Sequence, residues 1–141
     1  MNQYNVVCLF CEDIREETNE KYSLVGVFPD NVNVGEIPSA FPKLGIYARF
    51  NLATDFEIKE FSFNLRLPNG ETIKLLDYDV AEIKTEQQKA KNLGAPFAGF
   101  IFRAMASPAP IPAAGRMFAV FAINGEEIIA GHLNIQLPQT T

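Results

Sequence analysis

The alternation of apolar and polar positions is cleanest in the middle of the chain. From Lys43 to Leu52, the residues Leu44, Ile46, Ala48, Phe50 and Leu52 fall on one side. Gly45, Tyr47, Arg49 and Asn51 fall on the other. A period of two puts successive side chains on opposite faces of a strand, so this segment predicts a strand with one wet face. Glu57 to Leu67 repeats the pattern, with Phe61, Phe63, Leu65 and Leu67 set against Glu60, Ser62, Asn64 and Arg66. Pro68-Asn69-Gly70 turns the chain, and Thr72 to Val80 returns. In that return the apolar parity slips by one residue, from Ile73 and Leu75 to Leu76, Tyr78 and Val80, which predicts a β-bulge.

Tyr4 to Ile14 is rich in β-branched and aromatic residues and is apolar on both faces, Val7, Leu9 and Cys11 on one and Val6, Cys8 and Phe10 on the other. A polar turn, Arg15 to Lys21, leads to a second strand over Tyr22 to Phe28, and the two strands are expected to pair as a hairpin. Pro29 to Pro42 reads as a long connection with at most a short edge strand near Val32 and Val34. Its length predicts a crossing from one sheet to another, as in Greek-key arrangements. Glu82 to Asn92 has good helix formers and Gly94 just beyond its end, so it predicts a short surface helix, polar nearly all round.

Phe97 to Leu137 holds three more apolar runs. In the first, Phe100, Phe102, Ala104 and Ala106 oppose Gly99, Ile101, Arg103 and Met105. Ser107 to Gly115 is Pro-rich and reads as a stiff linker. Arg116 to Ile123 is apolar on both faces, Phe118, Val120 and Ala122 against Met117, Ala119, Phe121 and Ile123. Asn124-Gly125 then predicts a type I′ hairpin turn, which needs positive φ at both central residues. Glu127 to Leu137 alternates again, with Ile129, Gly131, Leu133, Ile135 and Leu137 expected inward. Seven or eight strands, several hairpin-linked, with one short surface helix predict an all-β fold. Its architecture is expected to be a two-sheet antiparallel β-sandwich in a single domain, residues 1–141.

The 12 Phe residues, with no Trp, imply an aromatic core. A formal net charge of −5 with scattered Lys and Arg disfavours nucleic acid, whose binding needs clustered cations, and disfavours an anionic membrane surface. No stretch approaches the ~20 apolar residues of a membrane span, and the N-terminus lacks the basic region of a signal peptide. Two cysteines suit a reducing compartment, so a cytoplasmic protein is expected.

Few residues suggest chemistry. Cys8 and Cys11 have redox or zinc spacing, but residues three apart on a strand face opposite ways. Their Cα atoms then lie ~10 Å apart at ~3.3 Å per residue, too far for a disulfide. They read as buried small hydrophobes. His132 falls on a wet strand face with no nucleophile placed beside it, so no catalytic residue and no cofactor is assigned. Asp13, Glu16, Glu17, Asp77 and Asp79 are the acidic residues that could hold an ion such as Ca²⁺ or a small ligand at loop ends, which is the alternative reading.

Beyond Tyr4 to Ile14, two strands of the Phe97 to Leu137 stretch are apolar on both faces, whereas a two-sheet sandwich covers only one. The first of these two strands sets Phe97, Ile101 and Met105 against Phe100 and Phe102. The second face must be covered by the helix, by the Pro-rich segments or by another chain. The leading expectation is therefore a non-enzymatic protein–protein interaction module that self-associates through Phe100, Phe102, Phe118 and Val120, or through the opposite faces of the same strands.

Three stretches carry a resemblance. Cys11-Glu-Asp-Ile-Arg-Glu16, Lys21-Tyr-Ser-Leu-Val-Gly-Val-Phe28 and Phe41-Pro-Lys-Leu44 are similar to an uncharacterised family of small bacterial and phage-associated proteins. The resemblance covers about a third of the chain. It implies a domain of unknown function with an immunoglobulin-like or C2-like sandwich, and lends no catalytic residue, cofactor or partner.

Overall fold

Hairpin and alternation signals become strands where the residues place them. In the computed structural model, which describes residues 3–138, the chain opens with an antiparallel hairpin of β1 (Tyr4–Glu16) and β2 (Tyr22–Val27). Next come β3 (Asn31–Asn33), β4 (Ser39–Phe41), β5 (Leu44–Ala53), β6 (Phe61–Arg66) and β7 (Thr72–Asp77). The helix α1 (Val80–Asn92) precedes β8 (Phe97–Ala106), β9 (Ala109–Ile111), β10 (Gly115–Ile123) and β11 (Glu126–Gln136). The first sheet has the order β2-β1-β5-β8 and the second the order β3-β11-β10-β6-β7, while β4 and β9 pair by themselves. Every pairing is antiparallel except that of β3 with β11.

The described residues form eleven strands, where seven or eight were expected. The extra three, β3, β4 and β9, have three residues each and lie in the Pro-rich segments read as connection and linker. Proline denies the ladder a donor but is tolerated where that donor would point away from the partner. The connection from β2 to β5 does pass through the second sheet, by way of β3.

Both turn and bulge signals are realised. Asn124 and Gly125 have φ of 51° and 83°, as a type I′ turn requires. Between β6 and β7, Phe63 faces Leu76 and Asn64 faces Lys74, so Leu75 is the extra residue. A second bulge has no counterpart in the sequence reading. Ala119 faces Gly131 but Val120 faces Ile129, leaving Ala130 unmatched. That extra residue reverses parity along β11 and turns Ile129, expected inward, out to solvent at 57% exposure. The helix begins two residues before the expected Glu82, because the Asp79 carboxylate accepts the Ala81 N–H at 2.9 Å and caps it.

The inner faces of the two sheets meet through aromatic rings. Phe50 of β5 lies 5.3 Å from Phe121 of β10 and 5.8 Å from Phe61 of β6. Phe102 of β8 lies 5.2 Å from Phe61, and Phe63 stacks on its cross-strand partner Phe121 at 4.4 Å. Ile83 is the helix's contribution to this core. Gln87, also buried, donates from Nε2 to the Ala53 and Phe56 carbonyls at 2.9 Å each, which satisfies two loop acceptors and anchors α1.

At the far side β1 crosses β11 closely. A Cβ on Gly131 would lie 3.2 Å from Cys8 Cβ and 3.3 Å from the Phe10 ring, so only glycine fits there without displacement. Truncating Phe50 removes a ring that touches both sheets. Phe50→Ala should cost about 3–5 kcal/mol in urea unfolding, whereas Phe97→Ala, at an exposed site, should stay within about 1 kcal/mol.

Candidate interaction face

Burial of the aromatic faces decides what the opposite faces present. On the four-stranded sheet, cross-strand partners share a face, and the outward rows can be read from the register. Val7, Arg49 and Ile101 form one row; Leu9, Tyr47 and Arg103 the next; Cys11, Gly45 and Met105 a third. Val7 is 58% exposed, and Leu9, Phe97, Ile101 and Met105 are 40–43% exposed. No element of the described chain covers them. Arg49 sits between Val7 and Ile101 and makes no ion pair among the described residues.

One end of this face is ordered by stacking. The Arg103 guanidinium lies 4.6 Å over the Tyr22 ring and pairs with Glu16, and Tyr22 lies 6.2 Å from Tyr47. A cation over an aromatic face is attracted by the ring quadrupole. Beside it, Ile14, Arg103, Ala104 and Met105 line a depression of about 270 Å³. Gly45 permits the close packing underneath, since a Cβ there would lie 2.9 Å from Cys11 Sγ and 3.0 Å from Ile14.

The outer face of the five-stranded sheet is different. Ser62, Asn64 and Arg66 alternate outward along β6. Arg66 faces Phe118 and Glu127 faces Ala122, so their 2.6 Å ion pair passes diagonally across β10 over Val120. Val120 is consequently only 2% exposed although it points away from the core. The same contact holds the Glu127 carboxyl below its usual range.

The four expected contact residues are therefore split. Phe100 and Phe102 are core residues, at 7% and 2% exposure, so the outward residues of that strand are Phe97, Ile101 and Met105. Val120 is sealed, and Phe118 is half-buried between Arg66 and His132. Val7 and Leu9 complete the outward face; the alternation of β1 contained them, but nothing in the sequence ranked one apolar face above the other.

The acidic residues are not brought together. Asp13 pairs with Arg15, Glu16 with Arg103 and Asp77 with Lys74, Asp79 caps the helix, and Glu17 is exposed. Among the described residues no three His, Cys, Asp or Glu side chains converge as metal ligands. His132 lies half-buried opposite Phe118.

Cys8 and Cys11 are both free, and they point to opposite faces of β1. Burial pushes the Cys8 thiol up to about 12, with a smaller contribution from Cys11. Below pH ~9 the thiol is neutral in both folded and unfolded chains. Between pH ~9 and ~12 only the unfolded chain releases the proton, so ionisation favours unfolding as pH rises. Over that window the wild type should lose more stability than Cys8→Ala, read as the shift in urea midpoint with pH.

No helix among the described residues is long and apolar enough to cross a membrane. No curated protein and no solved structure matches the chain. A family model does match, over residues 6–136, and by that match the chain belongs to DUF6941, a family of unknown function.

Proposed function

We propose that this chain is a non-enzymatic protein–protein interaction module, and that it associates with a second copy of itself through the outer face of the four-stranded sheet. The observation that carries the reading is the presence of five exposed apolar residues, Val7, Leu9, Phe97, Ile101 and Met105, on one sheet face, whereas on the outer face of the other sheet Arg66 and Glu127 close over Val120 and leave Ile129 as the exposed large apolar residue. Contiguous exposed apolar surface marks interaction sites, and Tyr and Arg, present here as Tyr47, Tyr22, Arg49 and Arg103, are enriched where interfaces bind most strongly.

The same reading takes the two sheets as the layers of an antiparallel sandwich, immunoglobulin-like in the broad sense, in one domain. The ring contacts between the sheets and the single cluster of buried residues support it. A cytoplasmic setting is in keeping with two free thiols, Cys11 buried and Cys8 half-buried.

Light scattering across a concentration series tests the proposal. The wild type should run as a dimer or larger, and Ile101→Glu or Val7→Glu should run as a monomer with a near-unchanged melting temperature. A wild type that stays monomeric at every concentration would sink the self-association. Phe100→Glu serves as the contrast, because it should unfold the chain rather than dissociate it.

A further inference from the structure

A second surface, away from that face, has a different chemistry. β3 and β4 are consecutive in the chain, yet they do not pair with each other. β3 bonds to β11 and β4 to β9. Between them lies a depression of about 560 Å³, lined by Val32, Asn33 and Val34 on one wall and by Ser39 and Ala40 on the other, with Phe28 and Phe41 in its floor. Those two rings lie 5.3 Å apart, and a second depression of about 380 Å³ opens beside them, next to Glu12 and Lys43. Both volumes fall within the range of ligand sites.

Both walls carry backbone groups that the ladders leave free, and Asn33 and Ala40 are the two such residues that line the depression. Asn134 N–H donates to the Asp30 carbonyl, and Val34 N–H donates to the Gln136 carbonyl. In a parallel ladder alternate residues bond to the same neighbour, so Asp30, Val32 and Val34 turn toward β11. Asn31 and Asn33 must then direct their N–H and C=O groups to the free edge. On the other wall, Ala40 faces Pro110. Proline has no N–H, so this pair cannot exchange two bonds. The doubly bonded partners are instead reached through Ser39 and Phe41, and Ala40 turns its own N–H and C=O away from β9. None of these three residues appears among the described backbone bonds outside the ladders.

We propose that this slot binds an extended peptide segment of another protein, which adds as a strand to the Asn31–Asn33 edge, with the Ala40 backbone on the opposite wall. Donor and acceptor groups repeating every second residue recognise an extended chain. The Phe28 and Phe41 floor takes its apolar side chains, also at every second position. Glu36 and Glu12, against the single Lys43 at the rim, favour Lys or Arg beside those apolar residues.

The test is panning of a displayed random octapeptide library on the purified chain, followed by titration of synthetic copies of the enriched peptides. Enriched peptides should alternate apolar residues and carry Lys or Arg. They should weaken at least 10-fold on Asn33→Pro or Ala40→Pro, each of which removes one free N–H and no ladder bond. Melting temperature confirms that each variant is folded. Should a proline variant not fold, N-methylation of alternate peptide residues makes the same cut from the ligand side, and one of the two registers should lose binding. Failure to enrich any peptide, or peptides that bind the proline variants and both N-methyl registers as tightly as before, would overturn the proposal. Repeating the titration on Ile101→Glu separates the two surfaces, since peptide binding there should be unchanged whether or not the chain self-associates.

Discussion

The contact between aromatic rings across the two sheets is the constraint on which the rest depends. Phe50 reaches Phe61 and Phe121 from the opposite layer, and Phe102 reaches Phe61. Each large ring removes 150–250 Å² from water when buried, more than any aliphatic neighbour here can match. Where one apolar face of a strand carries more rings than the other, that face therefore gains more from the interior. On β8 that choice is Phe100 and Phe102 over Ile101 and Met105, and it is what leaves the latter pair in solvent.

Parity makes this choice propagate. A strand with period two commits all its side chains together, and only a bulge lets one half of a strand choose differently from the other. The extra residue at Ala130 lets Leu133 and Ile135 enter the core while Ile129 leaves it. Leu75 does the same service for β7. Gly26, with φ of +65°, marks a third irregularity, in β2, where a Cβ would meet the Glu12 side chain at 2.9 Å.

Much of the fold was legible because its signals are local. Positive φ in the Asn124-Gly125 turn and the slip at Leu75–Leu76 are properties of adjacent residues, and the eight long strands follow from alternation or β-branched runs. What was not legible depended on partners far along the chain. The sequence predicts at most a short edge strand near Val32 and Val34, and Asn31–Asn33 becomes one because β11, about a hundred residues later, supplies the other half of its ladder. Ala40 and Pro110 pair in the same non-local way. Face assignment for β8 and β10 was ambiguous for the same reason. Phe100 and Val120 both sit in apolar runs, but one is buried by the opposite sheet and the other by an ion pair between residues 66 and 127. The acidic residues misled differently: of the carboxylates that look free in sequence, Asp13, Glu16 and Asp77 each found a cation, Asp79 caps the helix, and Glu17 lies exposed.

The two outer faces show how the chain treats apolar surface that the core does not take. Over Val120, a long Arg66 side chain and Glu127 close across β10, and an apolar position becomes dry without any added layer. The four-stranded sheet has the same kind of material at hand in Arg49 and Arg103, and uses it otherwise. Arg103 is drawn to the end of the face by Tyr22 and Glu16, and Arg49 pairs with no acid among the described residues. The helix is not available as a cover, because Ile83 faces the core and Gln87 binds it to the Ala53 and Phe56 carbonyls. A face with apolar rows and, among the described residues, a guanidinium without an ion pair and no covering element has the composition found where chains meet, and that is the physical basis for the function proposed for it.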